Sequence, residues 1–143
     1  MPDFSERSKA ALRSCDTRLQ ALFDSIVRDM DCTVIQGHRS HPEQLKLFAQ
    51  GASKVKDGKH NLLPSLAVDV APYVAGRGIP WPQRSAKTYI QDLCLYYYFA
   101  GWVLDRAKHL GMVIRWGGDW DRDHDIGDQS FNDLVHFELM DET

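Results

Sequence analysis

Residues 66–71 read Leu-Ala-Val-Asp-Val-Ala, a carboxylate in the middle of an apolar run. A strand buried on both faces does not tolerate a bare charge, so this segment has to be one-sided. On a pleated strand Val68 and Val70 share one face, while Ala67, Asp69 and Ala71 share the other. The two alanines leave room around the carboxylate, and Asp69 is expected to face a cleft rather than the core. A run near the C-terminus divides in the same way. Val135, Phe137 and Leu139 form an apolar face, and His136, Glu138 and Met140 the opposite one. Two strands, each with a dry face and a face carrying potential ligands, predict a shared floor for a site.

The rest of the chain supplies what such a sheet needs to bury its dry face. Residues 5–30 read as one helix: Ser5 is a suitable N-cap, and Leu12, Cys15, Leu19, Leu22, Phe23, Ile26, Val27 and Met30 recur at three- and four-residue steps. Cys32 to Gly37 is a short β-branched run ending in glycine, a strand. Ser40-x-x-Glu43 is a capping box with Pro42 in the first turn and Gly51 as the stop, giving a short helix with Leu45, Phe48 and Ala49 inward. Residues 52–65 and 74–85 read as loops. A long helix is expected over 85–110, with Ile90, Leu93, Tyr97, Gly101, Leu104 and Ala107 as its inward seam and Gly111 as its stop. Met112 to Trp120 looks like a strand running into a turn, followed by an acidic loop and the last strand. The Tyr96–Phe99 aromatic cluster reads as core plus interface. The expected architecture is α+β, a small, mainly antiparallel sheet with helices on one side, forming a single domain over 1–143 without a separate wall-binding domain.

Composition narrows the function classes. A 143-residue chain that is 43% hydrophobic and 26% charged is sized and composed for one folded domain. A net charge of −3, with basic residues scattered, gives no electrostatic reason to expect nucleic acid or an anionic membrane as partner. No apolar run approaches the ~20 residues of a membrane span, and the first residues lack the pattern of a signal peptide. Cys15, Cys32 and Cys94 are odd in number and lack CxxC spacing, so buried free thiols are expected. The missing signal and span predict a chain made in the cytoplasm, and a monomer is expected.

His60, Asp69 and His136 are the candidate ligands of the predicted cleft. Two imidazoles and a carboxylate are a zinc set, and a fourth position open to water would make it catalytic. Asp133, three residues before His136, would face away if 133–136 were all regular strand. With Asn132-Asp133 as loop, it can bend back over the cleft and serve as general base. Glu138 lies on the ligand face and can support His136 or the metal. Arg39, on a rigid base between a strand and a capped helix, could clamp a substrate carboxylate. Gln36 and Ser53 are weaker candidates for the same groove, and Trp116 and Trp120 either wall it or pack. The HExxH motif is missing and six histidines make coincidences common, so spacing leaves a zinc site and unrelated polar residues both open. Asp119, Asp121, Asp123 and Asp125 alternate like the ligands of a calcium loop, although the central Gly and terminal Glu of an EF-hand are missing from their places. A calcium site and a plain solvated loop both fit. His38, His41, His109 and His124 have no evident partners for a site; His109 sits at a helix end, where it meets the dipole favourably.

A family resemblance draws these residues together. "VIQGHRS" followed by Gln44, "GASKVKDGKH", "AVDVAPY", "WGGDW" and "DLVHFEL" occur in order over about residues 33–140. The set resembles phage endolysins of the L-alanyl-D-glutamate peptidase type, within the zinc peptidases grouped with D-alanyl-D-alanine carboxypeptidases, lysostaphin-type peptidases and sonic hedgehog. The resemblance implies zinc held by His60, Asp69 and His136, a catalytic base at Asp133, and a substrate- or transition-state-binding arginine at Arg39. It implies peptidoglycan stem peptide as substrate, release to the wall through a holin-like pore, and a calcium-responsive acidic loop like that of some relatives. Two features depart from the common pattern: two more residues separate His60 from Asp69, and Gly58 stands where a serine is frequent. A D,D-carboxypeptidase or D,D-dipeptidase is the alternative on the same scaffold. A zinc-containing peptidoglycan-binding module without catalysis is the alternative of another class.

Overall fold

The computed structural model describes residues 2–141. Its sheet has four strands, β1 (Cys32–Gln36), β2 (Ala67–Pro72), β3 (Ile114–Gly117) and β4 (Asp133–Leu139), in the order β1-β2-β4-β3, and every neighbouring pair is antiparallel. The two strands with a ligand-bearing face occupy the central positions, and β2 is buried on both faces, with Asp69 covered by its partners in the site. Val68 and Val70 of β2 and Phe137 and Leu139 of β4 point into the core with Val34, Ile114 and Trp116. Helices α1 (Glu6–Arg13), α2 (Thr17–Val27) and α4 (Tyr89–His109) contribute Leu12, Leu19, Leu22, Phe23, Ile26, Phe99, Ala100 and Val103 to the same cluster. Phe137 meets the rings of Phe23 at 5.6 Å and Phe99 at 6.1 Å, both edge-on. The short helix α3 (His41–Ala49) does not join this cluster. Gln44 and Leu47 of α3 border the opposite, ligand-bearing side.

Several expected elements change form. The single helix over 5–30 is two helices. The chain breaks at Ser14–Asp16, where Ser14 O accepts from Ser65 N, Asp16 N donates to Ser65 O, and the Asp16 side chain caps α2. A tertiary pairing has interrupted a continuous apolar period. The long helix starts at Tyr89 rather than 85, and its inward seam is Asp92, Tyr96, Phe99, Ala100, Val103 and Ala107. Ile90 and Gly101 are exposed, and Leu93, Tyr97 and Leu104 are half-buried. This helix is apolar around much of its circumference, so periodicity alone cannot fix its rotation. The buried Asp92 helps to fix it, held by Arg77 at 2.9 and 3.0 Å and by Thr88 at 2.8 Å. In α3 the expected inward Leu45, Phe48 and Ala49 are exposed, and Gln44 is the buried residue. The polar side of α3 faces the site, and Gln44 is satisfied there. Cys15 and Cys32 are buried free thiols as expected, whereas Cys94 is exposed. The caps at Ser5 and Ser40 and the left-handed stops at Gly51 and Gly111 are found as expected.

Candidate metal centre and its cleft

Pairing across the sheet builds the site. Asp69 is opposite Gln36 on one side and His136 on the other, so the three form a row across β1, β2 and β4. On β4, His136 and Glu138 face away from the core, as alternation requires. His60 comes from a short 3-10 turn, Lys59–Asn61, tied to the sheet by its neighbours. His60 O accepts from Arg39 N at 2.7 Å, and Lys59 O accepts from Leu66 N at 3.2 Å and Ser65 Oγ at 3.3 Å. The longer connection to Asp69 is taken up outside this frame, with Leu62 and Leu63 exposed and Ser65 fully buried against Cys15.

Ligand atoms of His60, Asp69 and His136 lie within 4.8 Å of one another. His60 Nε2 is 3.2 Å and His136 Nδ1 3.4 Å from Asp69 Oδ1. The outer nitrogen of each imidazole has its own partner. His60 Nδ1 is 2.8 Å from Gly37 O, and His136 Nε2 is 2.8 Å from Glu138 Oε1. These outer bonds select the ring atom each histidine presents inward, Nε2 from His60 and Nδ1 from His136. Gly37 has to be glycine, since a Cβ there would lie 2.2 Å from Ala11 O and 2.3 Å from Ser14 Oγ.

Electrostatics follow from this packing. Burial raises the Asp69 carboxyl, but the bonds from His136 and His60 outweigh it and hold the group well below the ordinary range. Burial lowers the His136 imidazole, yet Asp69 and Glu138 overcome that and raise it to about 9. Burial likewise raises Glu138, but His136, Arg115 and Lys59 bring it down to about 2. Glu138 Oε2 is 3.0 Å from Arg115 Nη2 and 3.2 Å from Lys59 Nζ. Lys59 Nζ also donates to Leu139 O. Neither Arg115 nor Lys59 stood out in the sequence. For Arg115 a signal was present, because in Ile-Arg-Trp alternation puts the arginine on the ligand face and Trp116 in the core.

A cleft of about 790 Å³ opens above the site, bordered by Arg39, His60, Trp120, Phe131, Asp133 and His136 among others. Asp133 reaches it by a route the sequence did not specify. Asp133 is the first residue of β4, not loop, and pairs with Gly117 across a register shift after Trp116. That irregularity brings residues 133 and 136 to one cleft despite their odd spacing. Gly117 permits the approach, because a Cβ there would lie 2.1 Å from Asp133 O. Burial and the charge of Asp69 raise the Asp133 carboxyl, against the lowering influence of His136, His60 and Arg39.

Arg39 is held more tightly than a free clamp. Its Nε and Nη2 donate to Gln36 Oε1 at 3.1 and 2.7 Å and its Nη1 to Gln44 Oε1 at 2.8 Å, with Nη2 3.7 Å from Asp69 Oδ2. Gln36 therefore orients the arginine instead of bordering the cleft. Ser53 does border it and accepts from Gln44 Nε2 at 2.8 Å. Trp120 walls the cleft, whereas Trp116 is buried with its Nε1 donating to Leu134 O at 2.8 Å. The acidic loop gathers Asp119, Asp121 and Asp123 within 4.8 Å. Asp125 is not among them; its Oδ1 accepts from Gly127 N at 2.9 Å, closing a turn. Among the described residues no helix is long and apolar enough to cross a membrane.

Two imidazoles and a carboxylate at the floor of an open cleft, with a further carboxylate of raised pKa beside them, are the equipment of a metal-assisted hydrolase. Residues 2–140 match the phage L-alanyl-D-glutamate peptidase family, and the chain belongs to that family. It is similar to the L-alanyl-D-glutamate peptidase of Escherichia phage T5, 30% identical over 100 residues that cover 69% of this chain and 66% of the relative. Its fold is similar to the crystal structure of the Serratia marcescens L-Ala D-Glu endopeptidase ChiX, with a TM-score of 0.72 and 25% identity over 97% of this chain and 91% of the other.

Proposed function

We propose that this chain is a zinc peptidase that hydrolyses the L-alanyl-D-glutamate bond of peptidoglycan stem peptides, with His60, Asp69 and His136 as the zinc ligands. The observation that carries this reading is the convergence of two imidazole nitrogens and a carboxylate oxygen, with the outer nitrogen of each imidazole held by a separate partner. That donor set, open to the cleft on one side, fits zinc. When bound, zinc supplies Lewis acidity and lowers the pKa of water towards ~7.

The chain's own residues do the rest. Asp133 holds the attacking water and takes its proton as the water oxygen bonds to the L-Ala carbonyl carbon. When the C–N bond breaks, Asp133 gives that proton to the D-Glu nitrogen. Its raised pKa suits both halves of the transfer. Glu138 and Gly37 keep the two imidazoles in the required tautomers. Three of the five N–H donors of Arg39 are engaged by Gln36 and Gln44. A remaining donor meets a substrate oxygen at the edge of the cleft, and Gln36 and Gln44 fix its direction.

Residues 2–140 make up this catalytic domain. The phage family supports a role in host lysis, with the enzyme held in the host cytoplasm until a holin-like pore admits it to the wall. Cytoplasmic expression is then harmless until the membrane is permeabilised. The central test is digestion of purified sacculi with and without a chelator, read by mass. Muropeptides cut between L-Ala and D-Glu, and their loss on chelation, are expected. Release of D-Ala from intact stems would establish a D,D-carboxypeptidase instead, and binding without any cleavage a non-catalytic module.

A further inference from the structure

A second depression, of about 230 Å³, lies beside Asp133, bordered by Trp81, Tyr96, Asn132, Asp133 and Val135 among others. Asp133 borders both this depression and the main cleft. Trp81 belongs to the loop between β2 and α4 and is 52% exposed. Its ring is stacked on that of Tyr96, with centroids 6.2 Å apart and planes 26° apart. Tyr96 is buried, so the tryptophan has a rigid base. The Tyr96 hydroxyl is buried with no hydrogen-bond partner, a condition that native structures rarely leave unexplained. Asn132 is exposed at the rim and has amide donors and an acceptor to offer.

An open aromatic face on a fixed support, ringed by a few polar groups, is suited to the apolar face of a sugar ring. The proposed substrate carries a sugar close to the scissile bond. In peptidoglycan the L-Ala nitrogen is acylated by the lactyl group of N-acetylmuramic acid. One residue and a three-carbon acyl group, on the order of 7 Å when extended, separate that sugar from the scissile carbonyl. The sugar is on the acyl side of the bond, and that reach is compatible with the depression that shares Asp133 with the cleft. We propose that Trp81, stacked on Tyr96, with Asn132 at the rim, is the subsite for the N-acetylmuramoyl sugar. This rests on the reading that the chain cuts the L-Ala–D-Glu bond.

Two soluble substrates test it with the zinc-loaded full chain: a disaccharide-linked stem tripeptide, and the same tripeptide carrying an N-acetyl group in place of the sugar. The wild type should favour the first by roughly tenfold in kcat/KM, the upper range of an aromatic contact. Trp81→Ala should abolish that preference and leave the rate on the acetylated peptide unchanged, and Trp81→Phe should keep part of it. Equal kcat/KM for both substrates in the wild type, or an equal loss on both in Trp81→Ala, overturns the proposal. Titration with the peptide-free disaccharide, read by tryptophan fluorescence, does not depend on cleavage. A saturable change that vanishes in Trp81→Ala supports the subsite, and no Trp81-dependent change overturns it. Saturable sugar binding without cleavage of either peptide would instead strike down the parent reading of the reaction.

Discussion

Among the described residues, histidine and carboxylate side chains gather as potential metal ligands in two places, and the two are built differently. His60, Asp69 and His136 rest on paired strands and a tied turn, and each imidazole has a partner on its outer nitrogen. Asp119, Asp121 and Asp123 occupy a loop in which the carboxylates mostly serve the loop itself. Asp119 Oδ2 accepts from His124 N at 3.0 Å and Asp123 Oδ1 from Asp125 N at 2.8 Å. Desolvation and the adjacent Asp123 raise the Asp121 carboxyl, which reflects crowding of like charges. A ligand set acquires affinity from support that fixes its direction, and in the first cluster that support holds the outer nitrogen of each imidazole and turns the other one inward.

The largest effect expected is from His136→Ala, which should remove both the metal and the activity, measured by metal analysis and sacculus digestion. Metal retained in full by this variant would mean that the strand-borne cluster is not the ligand set. Asp133→Ala should keep the metal and lower turnover by ~10²-fold or more. Glu138→Gln should weaken metal affinity by about 10–100-fold, read by chelator competition, because the outer nitrogen of His136 loses its anionic partner. Proton competition comes next. A histidine raised to about 9 is protonated at neutral pH in the metal-free protein, and metal has to displace that proton. Apparent affinity should therefore climb with pH by up to about tenfold per unit below pH 9 and level off above it. Flat affinity between pH 6 and 9 would show that His136 is already neutral. The smallest effect should be that of Asp121→Asn, with zinc affinity and the thermal midpoint both unchanged, read by chelator competition and by melting.

Much of the site was legible from residue order. Alternation in Leu66–Ala71 and Val135–Met140 assigned Asp69, His136 and Glu138 to one face, and it did so because the side-chain period of a strand is fixed by its pleat. Helix contacts were harder to read. The α4 sequence is apolar on several sides, and the ion pair of Arg77 with Asp92, fifteen residues apart, is not a local signal. The break at Ser14–Asp16 depends on Ser65, and the inward turn of Gln44 depends on Arg39 and Ser53.

Residue order alone says which strands carry a ligand-bearing face, which side chains can bind metal, and where helices are capped, since these follow from short-range periodicity and local hydrogen bonding. Tertiary structure decided the rest. It chose which nitrogen each histidine presents, through Gly37 and Glu138, and it brought Asp133 over the cleft through a register shift that only glycine at 117 allows. It also surrounded Glu138 with Lys59 and Arg115, 79 and 23 residues away in the chain. Contacts of that kind are set by how strands pair and loops close, and no local pattern along the chain encodes them.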